Sequence, residues 1–341
     1  MSPAATIRYL GRADVLAAGG GDMAAAIADV RAGFALLASG RATMPAEVSV
    51  PLGPAEPPVP GARVYALPAR LDGARPVAGV KWTAHRPPSV DGLPSILGLT
   101  VVNDAVTGRP VGIVESAGLT AMRTAATTAI ALETAAPRPV GSVTVLGAGT
   151  QAETHLAMLS SLPGTAPAVT LWNRTRDRAL TLAARWQHRL AIRVADDLDA
   201  ALGEADAILC CTAALEPILP VEAVRPGRLV VQIGHHEVPF DAIDRSTRVH
   251  VDLWGPFAEA SGKSLFRMYR AGRFGPERVT ADLGALLAGA PRPGPDDAVY
   301  VSTFGLNVFD VALAARVLAA ADERGLGTIL PLVDRPWEYR P

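Results

Sequence analysis

The segment that most limits what this chain can fold into is Ser142–Leu146 followed by Gly147-Ala148-Gly149-Thr150-Gln151-Ala152. An apolar run, VTVL, meets a G-x-G-x-x-A turn and then a helix-like stretch, AETHLAML. Strand, glycine turn and helix in that order form the context in which this fingerprint holds a dinucleotide. Gly147 permits the tight turn, Gly149 lets the backbone approach the pyrophosphate, and Ala152 is small enough for the helix to pack close to the sheet. The helix start at Thr150 and Gln151 then offers N–H groups and the positive end of the helix dipole to an anion. A glycine-rich turn with no ligand is the plain alternative.

From Pro137 onward strand and helix alternate. Strands are expected at Ser142–Leu146, Ala168–Trp172, Ala207–Cys211 and Leu229–Ile233, with Val249–Leu253 as a further one, and helices reach about Leu162 and Leu190. Such alternation predicts an α/β fold with a Rossmann-type doubly wound parallel sheet. The end of the second strand selects the cofactor, because an acid there holds the ribose 2′-hydroxyl of NAD. Here it reads Trp172-Asn173-Arg174-Thr175-Arg176, with no acid at the strand end. Arg174 and Arg176 suit a 2′-phosphate, and Asn173 and Thr175 add hydrogen-bond donors, which favours NADP while leaving NAD open. The alternative is ordinary surface arginines at a helix start that Asp177 caps.

The chain before Pro137 reads differently. Residues 22–40 have helical spacing, residues 51–62 form a Pro/Gly-rich loop, and strand-like runs follow at Arg63–Leu67 and Val77–Trp82. Gly98–Asn103 and Pro110–Glu115 flank the turn-forming DAVTGR and predict a hairpin. Strands without helices between them imply a mostly antiparallel sheet, in a smaller α+β domain. A long helix over 117–135 leads out of it, and the apolar 304–325 segment is a helix that packs back on one of the two domains. The boundaries expected are 1–126, with 311–341 returning to it, and 127–310 for the dinucleotide-binding domain.

Charge and composition exclude several function classes. A formal net charge of −1 gives no reason to expect nucleic acid or an anionic membrane as partner. No apolar run reaches the roughly 18 residues that a bilayer requires. The segment Met1 to Leu10 does not read as a signal peptide. Cys210 and Cys211 are adjacent on a strand, point to opposite faces and do not suit a disulfide with each other, which fits a reducing cytoplasm. Only two of the 32 basic residues, Lys81 and Lys263, are lysine. A lysine retained in so Arg-rich a chain suggests a need for an ammonium, which, unlike a guanidinium, can lose a proton.

Lys81, in the strand GVKW, and Arg123, in the apolar helix LTAMRTAA, are cations in apolar surroundings. Burying each is costly unless an anion pairs with it. A substrate carboxylate would satisfy both. A lysine snorkelling from an edge strand, and an arginine paired with Glu115 or another acid, are the alternatives.

With these residues in view, the chain resembles the ornithine cyclodeaminase/mu-crystallin family. The resemblance runs through RATMP (41–45), GVKW (79–82), VVNDAVTGRPVGIVESAGLTAMRTAA (101–126), VTVLGAGTQAETHL (143–156) and FGLNVFD (304–310). It implies a substrate-binding domain that also forms a homodimer, and NAD(P)-linked chemistry on a small amino or imino acid. It further implies that Lys81 and Arg123 bind the substrate carboxylate, that Thr124 lies beside the cofactor phosphates, and that Thr212 and Ala213 lie near the nicotinamide. Two departures stand out. Glu47 occupies a position where relatives commonly carry a carboxylate-binding Arg, which suggests a cationic group on the substrate or a carboxylate held differently. His236 falls, by register, where cyclodeaminases place a catalytic Asp. The KW pair and NDAVTGRP look closer to the dehydrogenase members of 2,3-diaminopropionate biosynthesis, which oxidise a secondary amine.

Hydride transfer at a carbon–nitrogen bond needs a group that sets the protonation of the nitrogen. His236 is the candidate, with Lys81 beside it in the catalytic set and His235 and Glu237 as alternates, because imidazole titrates near pH ~6.5. Adjacent histidines on an extended segment diverge and no third ligand lies at metal spacing, so no metal is expected. His85, His155, His188 and His250 read as surface or core residues, with a substrate contact open to His85. Lys263 and Arg267, at i and i+4, read as a solvated helix face. A cyclodeaminase that releases ammonia, and a cofactor-binding protein without catalysis, are the competing readings.

Overall fold

The computed structural model describes residues 5–53, 62–86 and 93–333. Most of the expected 51–62 loop therefore lies outside the described residues. The chain divides into two compact units. The first comprises residues 1–22, 39–120 and 307–341, and the second residues 23–38 and 121–306. Against the expected boundaries, the helix Met23–Ala38 groups with the second unit, one boundary falls at 120/121 inside the helix Ala117–Thr134, and the return begins at Asn307.

The second unit holds the parallel sheet. Its strand order is Ile192–Val194, Ala168–Trp172, Ser142–Leu146, Ala207–Cys210, Arg228–Gln232, Ala298–Ser302, Arg248–Val251 and Ala281–Asp282. Every pairing is parallel. The expected strands recur with small shifts at their ends. The short first and last members and Ala298–Ser302 are additions to them, and Ala298–Ser302 separates Arg228–Gln232 from Arg248–Val251. A fully buried strand such as AVYVS shows no alternation of apolar and polar residues to announce it. The strand order reverses between Ser142–Leu146 and Ala207–Cys210, so the crevice where such sheets bind ligands lies outside the carboxyl ends of those two.

The first unit is an eight-stranded sheet, antiparallel except where Ala5–Leu10 runs parallel to Pro110–Glu115. The expected hairpin is present as Ile96–Asp104 with Pro110–Glu115. The helix Asn307–Glu323 packs on the sheet, with Val311 against Gly79 and Leu318 against Gly112. The last strand, Thr328–Val333, pairs with Ala5–Leu10.

Two helices of the second unit are joined by a buried histidine. His155 Nδ1 lies 2.7 Å from the Gln151 carbonyl and Nε2 lies 2.9 Å from Thr128 Oγ1. Burial holds its pKa down to about 4. Because the unfolded chain binds that proton near pH 6.5 and the folded one only near 4, stability falls as pH drops through this window. The loss is worth about 3 kcal/mol. Urea unfolding across the same window should therefore show a pH slope about one proton shallower in His155→Gln than in the native chain.

Candidate functional site

In the second unit, the turn after Ser142–Leu146 has the geometry that a phosphate requires. Gly147 adopts φ +115°, and a Cβ there would lie 2.6 Å from the Cys211 carbonyl oxygen, so only glycine lets the two strand ends approach this closely. Gly149 is the N-cap of the helix Thr150–Ser161 and no side chain caps that end. A Cβ on Gly149 would meet nothing within 4 Å. The Gln151 Oε1 atom is buried without a hydrogen-bond partner among the described residues. Open space beside Gly149, uncapped amides and a helix dipole fit a pyrophosphate at this position.

Along the same edge, the loop ends carry buried charge. Lys263, 7% exposed, donates from Nζ to the carbonyls of Ile233 and, at 2.8 Å, Gly234. Burial lowers its pKa to about 8, opposed by Glu237 and Asp252. Glu237 is fully buried and desolvation raises its pKa. Its Oε1 accepts from both the backbone N–H (3.1 Å) and the hydroxyl (3.2 Å) of Thr212. Asp252, also raised by burial, accepts from the N–H groups of Leu253, Phe304 and Gly305. Arg123 is buried on the helix Ala117–Thr134, with its guanidinium against Gly305, where any Cβ would collide with it.

His236 is half-buried and its Nδ1 lies 2.9 Å from Ser264 Oγ. Desolvation, aided by Arg267, keeps its pKa below the ordinary imidazole value. With Glu216, Phe240 and Arg273 it lines a cavity of about 270 Å³. Thr212 is half-buried and Ala213 is exposed.

In the first unit, Lys81 is not a snorkelling edge residue. Its strand, Val77–His85, is interior, between Arg63–Leu71 and Ile96–Asp104. The ammonium is 2% exposed and meets Asp310 Oδ2 at 2.7 Å. Thr120 Oγ1 lies 3.4 Å from the ammonium and donates to Asp310 Oδ1 at 3.1 Å. The anion that compensates Lys81 is therefore a residue of the fold itself. Glu47 is half-buried, and after burial its charge raises the Tyr65 pKa.

The sequence model of the Ornithine cyclodeaminase/mu-crystallin family matches residues 18–325. The chain belongs to this family. It is 22% identical to the N-((2S)-2-amino-2-carboxyethyl)-L-glutamate dehydrogenase of Staphylococcus aureus over 79% of this chain and 82% of that protein. It is 31% identical to the NAD(P)H-dependent anabolic L-arginine dehydrogenase DauB of Pseudomonas aeruginosa over 65% and 71%. The structure of Thermococcus litoralis Delta(1)-pyrroline-2-carboxylate reductase shares the fold, at a TM-score of 0.84 and 23% identity, covering 94% of this chain and 99% of that one.

Several sequence expectations need correction. Lys263 is buried at the N-cap of Ser264–Arg270, not on a solvated face, and only Arg267 is exposed. Glu115 is engaged by Arg12 and the Ala117 N–H. At the second strand end, Thr175 is the N-cap rather than Asp177, Arg176 is ion-paired with Asp196 at 2.9 Å, and Asn173 donates to the Thr175 carbonyl. Arg174 is exposed beside them, and Thr124 is half-buried on its helix. His155 and His250, expected as surface or core residues, lie in the core. Asp252, Ser264 and Asp310 escape a reading of the sequence alone. Asp252 and Asp310 are acids in apolar runs, the same signal that marks Arg123, whereas Ser264 lies in the mixed run SGKSLFR, which carries no such signal.

Removing one member of a buried ion pair costs about 3–5 kcal/mol, because the other is left uncompensated. Lys81→Met should lower the unfolding free energy by about that amount, and Lys81→Met with Asp310→Leu should recover much of it. A double-mutant cycle in urea measures the difference.

Proposed function

We propose that this chain is an NAD(P)-dependent oxidoreductase acting on the carbon–nitrogen bond of an amino or imino acid. The observation that carries the reading is the uncapped helix start behind Gly147 and Gly149, open where a pyrophosphate would rest, at the reversal point of a parallel sheet. The named dehydrogenase relatives in its family, one acting on a secondary amine and one on L-arginine, support the reaction class. A bound nicotinamide cofactor supplies or takes up the hydride.

The chain's own groups hold and orient. Gly147, Gly149, Thr150, Gln151 and Ala152 form the phosphate turn, with Thr124 as a further contact. Arg174 and Arg176, with Asn173 and Thr175, take a 2′-phosphate. The exposed Arg176–Asp196 pair is weak enough to yield to that phosphate. Thr212 and Ala213 border the nicotinamide, and Glu237 fixes Thr212 in place through two hydrogen bonds. The carboxylate-binding roles expected of Lys81 and Arg123, and a cation-binding role for Glu47, belong to this proposal. His236 contacts the substrate.

The first unit supports a homodimer. Val48, Ala66, Trp82 and Leu99 stand opposite one another in register across four strands of one sheet face. Val48 is 67% exposed and Trp82 52%. Contiguous exposed apolar side chains of this kind mark an interaction surface.

Incubation with amino acids, or with keto acid and amine mixtures, should give a net change in reduced-cofactor absorbance matched by product in the mass spectrum. Ammonia release without net cofactor change would instead identify a cyclodeaminase. Arg174→Ala should raise KM for NADP by about ten- to a hundredfold and leave NAD nearly unchanged, as loss of one charge-assisted bond requires. Trp82→Glu should convert a dimer into a monomer by light scattering, and a monomeric native chain would exclude the interface.

A further inference from the structure

The hydrogen bonds behind His236 determine which of its two nitrogens holds the proton. Gln232 is fully buried, and its amide orientation is fixed from both sides. The Tyr300 hydroxyl donates to Oε1. Nε2 faces the His235 carbonyl at 3.0 Å, the Glu237 carboxylate at 3.3 Å and Ser264 Oγ at 2.9 Å. A carbonyl and a carboxylate only accept, so the nitrogen must be on that side. The two N–H groups are shared among these three neighbours, and Ser264 Oγ, facing a nitrogen that only donates, cannot place its own hydrogen there. Its own hydrogen remains, and among the described residues the one acceptor within reach is His236 Nδ1, 2.9 Å away. Ser264 is completely buried, so turning that hydrogen away from Nδ1 would leave a hydroxyl donor unsatisfied out of contact with water. With Nδ1 accepting, the neutral ring must hold its proton on Nε2.

The scaffold that sets this arrangement is rigid. Lys263 clamps the carbonyls of Ile233 and Gly234, and the Ser264 N–H donates to the His235 carbonyl at 2.9 Å. The stretch just before His236 is thereby tied to the start of the helix Ser264–Arg270. The charged groups around the ring are Arg267 and Glu216, with Asp241 and Arg273 lining the same cavity. Burial keeps the imidazole neutral at physiological pH.

We propose that His236 acts as a neutral hydrogen-bond donor through Nε2, with Ser264 and Gln232 as positioning residues that fix its tautomer, and that it does not carry protons. A ring that shuttles protons at Nε2 must have that nitrogen unprotonated in its basic form. The bond from Ser264 excludes that form. The donated N–H suits a lone pair on the substrate, at an imine nitrogen or a carboxylate oxygen. This inference rests on the oxidoreductase reading only for what the donor meets. The tautomer is a property of the resting protein.

The test uses the full-length protein labelled with ¹⁵N-histidine, with His236→Gln assigning the His236 resonances. At neutral pH the spectrum should show His236 Nε2 protonated and Nδ1 bare, and Ser264→Ala should shift the population toward the other tautomer. In kinetics, His236→Gln places an amide N–H near Nε2 and should stay within about tenfold of the native kcat, whereas His236→Ala, which removes the donor, should fall at least about a hundredfold. Ser264→Ala should lower kcat, expressed per folded enzyme, by about tenfold with KM little changed, and the tautomer shift in the same variant's spectrum separates this from a loss of folded protein. A protonated Nδ1 or an imidazolium in the native spectrum overturns the proposal, as does His236→Gln matching His236→Ala. Absence of turnover with every substrate, with the expected spectrum intact, would count against the oxidoreductase reading and leave the tautomer assignment standing.

Discussion

A buried ammonium has to be answered by charge and by carbonyl oxygen, and around Lys263 that requirement shapes the carboxyl edge of the parallel sheet. Two of its neighbours are the carbonyls of Ile233 and Gly234, where the chain leaves one strand. Its balancing charges, Glu237 and Asp252, stand in the turns that follow two different strands. Glu237 in turn holds Thr212, which follows a third, and Asp252 holds Phe304 and Gly305, which follow a fourth. Two acids offset Lys263 and the nearby Arg123, so the group carries no large net charge. Remove any member and the others become charges in a medium that cannot solvate them. The loops that a cofactor and substrate would meet thus have their shapes set from beneath.

The parallel sheet is legible in the sequence because its signals are local. A strand, a glycine turn and a helix within a dozen residues carry their own periodicities, and the tight turn expected at Gly147 is present, crossing the end of the neighbouring strand. The hairpin of the first unit is legible for the same reason. What escapes is long-range. Ala298–Ser302 enters the sheet between two strands that precede it in the chain, and Asp310 meets Lys81 across 229 positions. An acid in an apolar helix says that something basic is near without saying which residue.

The lysine count shows where such a signal carries and where it stops. Scarcity alone singles out Lys81 and Lys263, and both are buried, Lys81 against Asp310 and Thr120, Lys263 against two carbonyls with Glu237 and Asp252 nearby. A compact ammonium fits where a planar five-donor fork would not. Helical spacing nevertheless misleads, because Lys263 and Arg267 are four apart without sharing a face: Lys263 is still in extended conformation when the helix begins. Spacing rules hold only inside an element, and the cap residue lies outside it.

The division of the chain also orders its synthesis. Everything the second unit needs has left the ribosome by Leu306, so that unit can close around its own core while the first is still missing a helix and a strand. Until Asn307–Glu323 and Thr328–Val333 emerge, the strand Ala5–Leu10 lacks its partner Thr328–Val333, the sheet lacks the helix that packs on it, and Lys81 lacks Asp310. The strand Ala5–Leu10, made before the rest of its sheet, is therefore among the last parts of that unit to become native, and it spends that interval exposed to chaperones and to other unfinished copies.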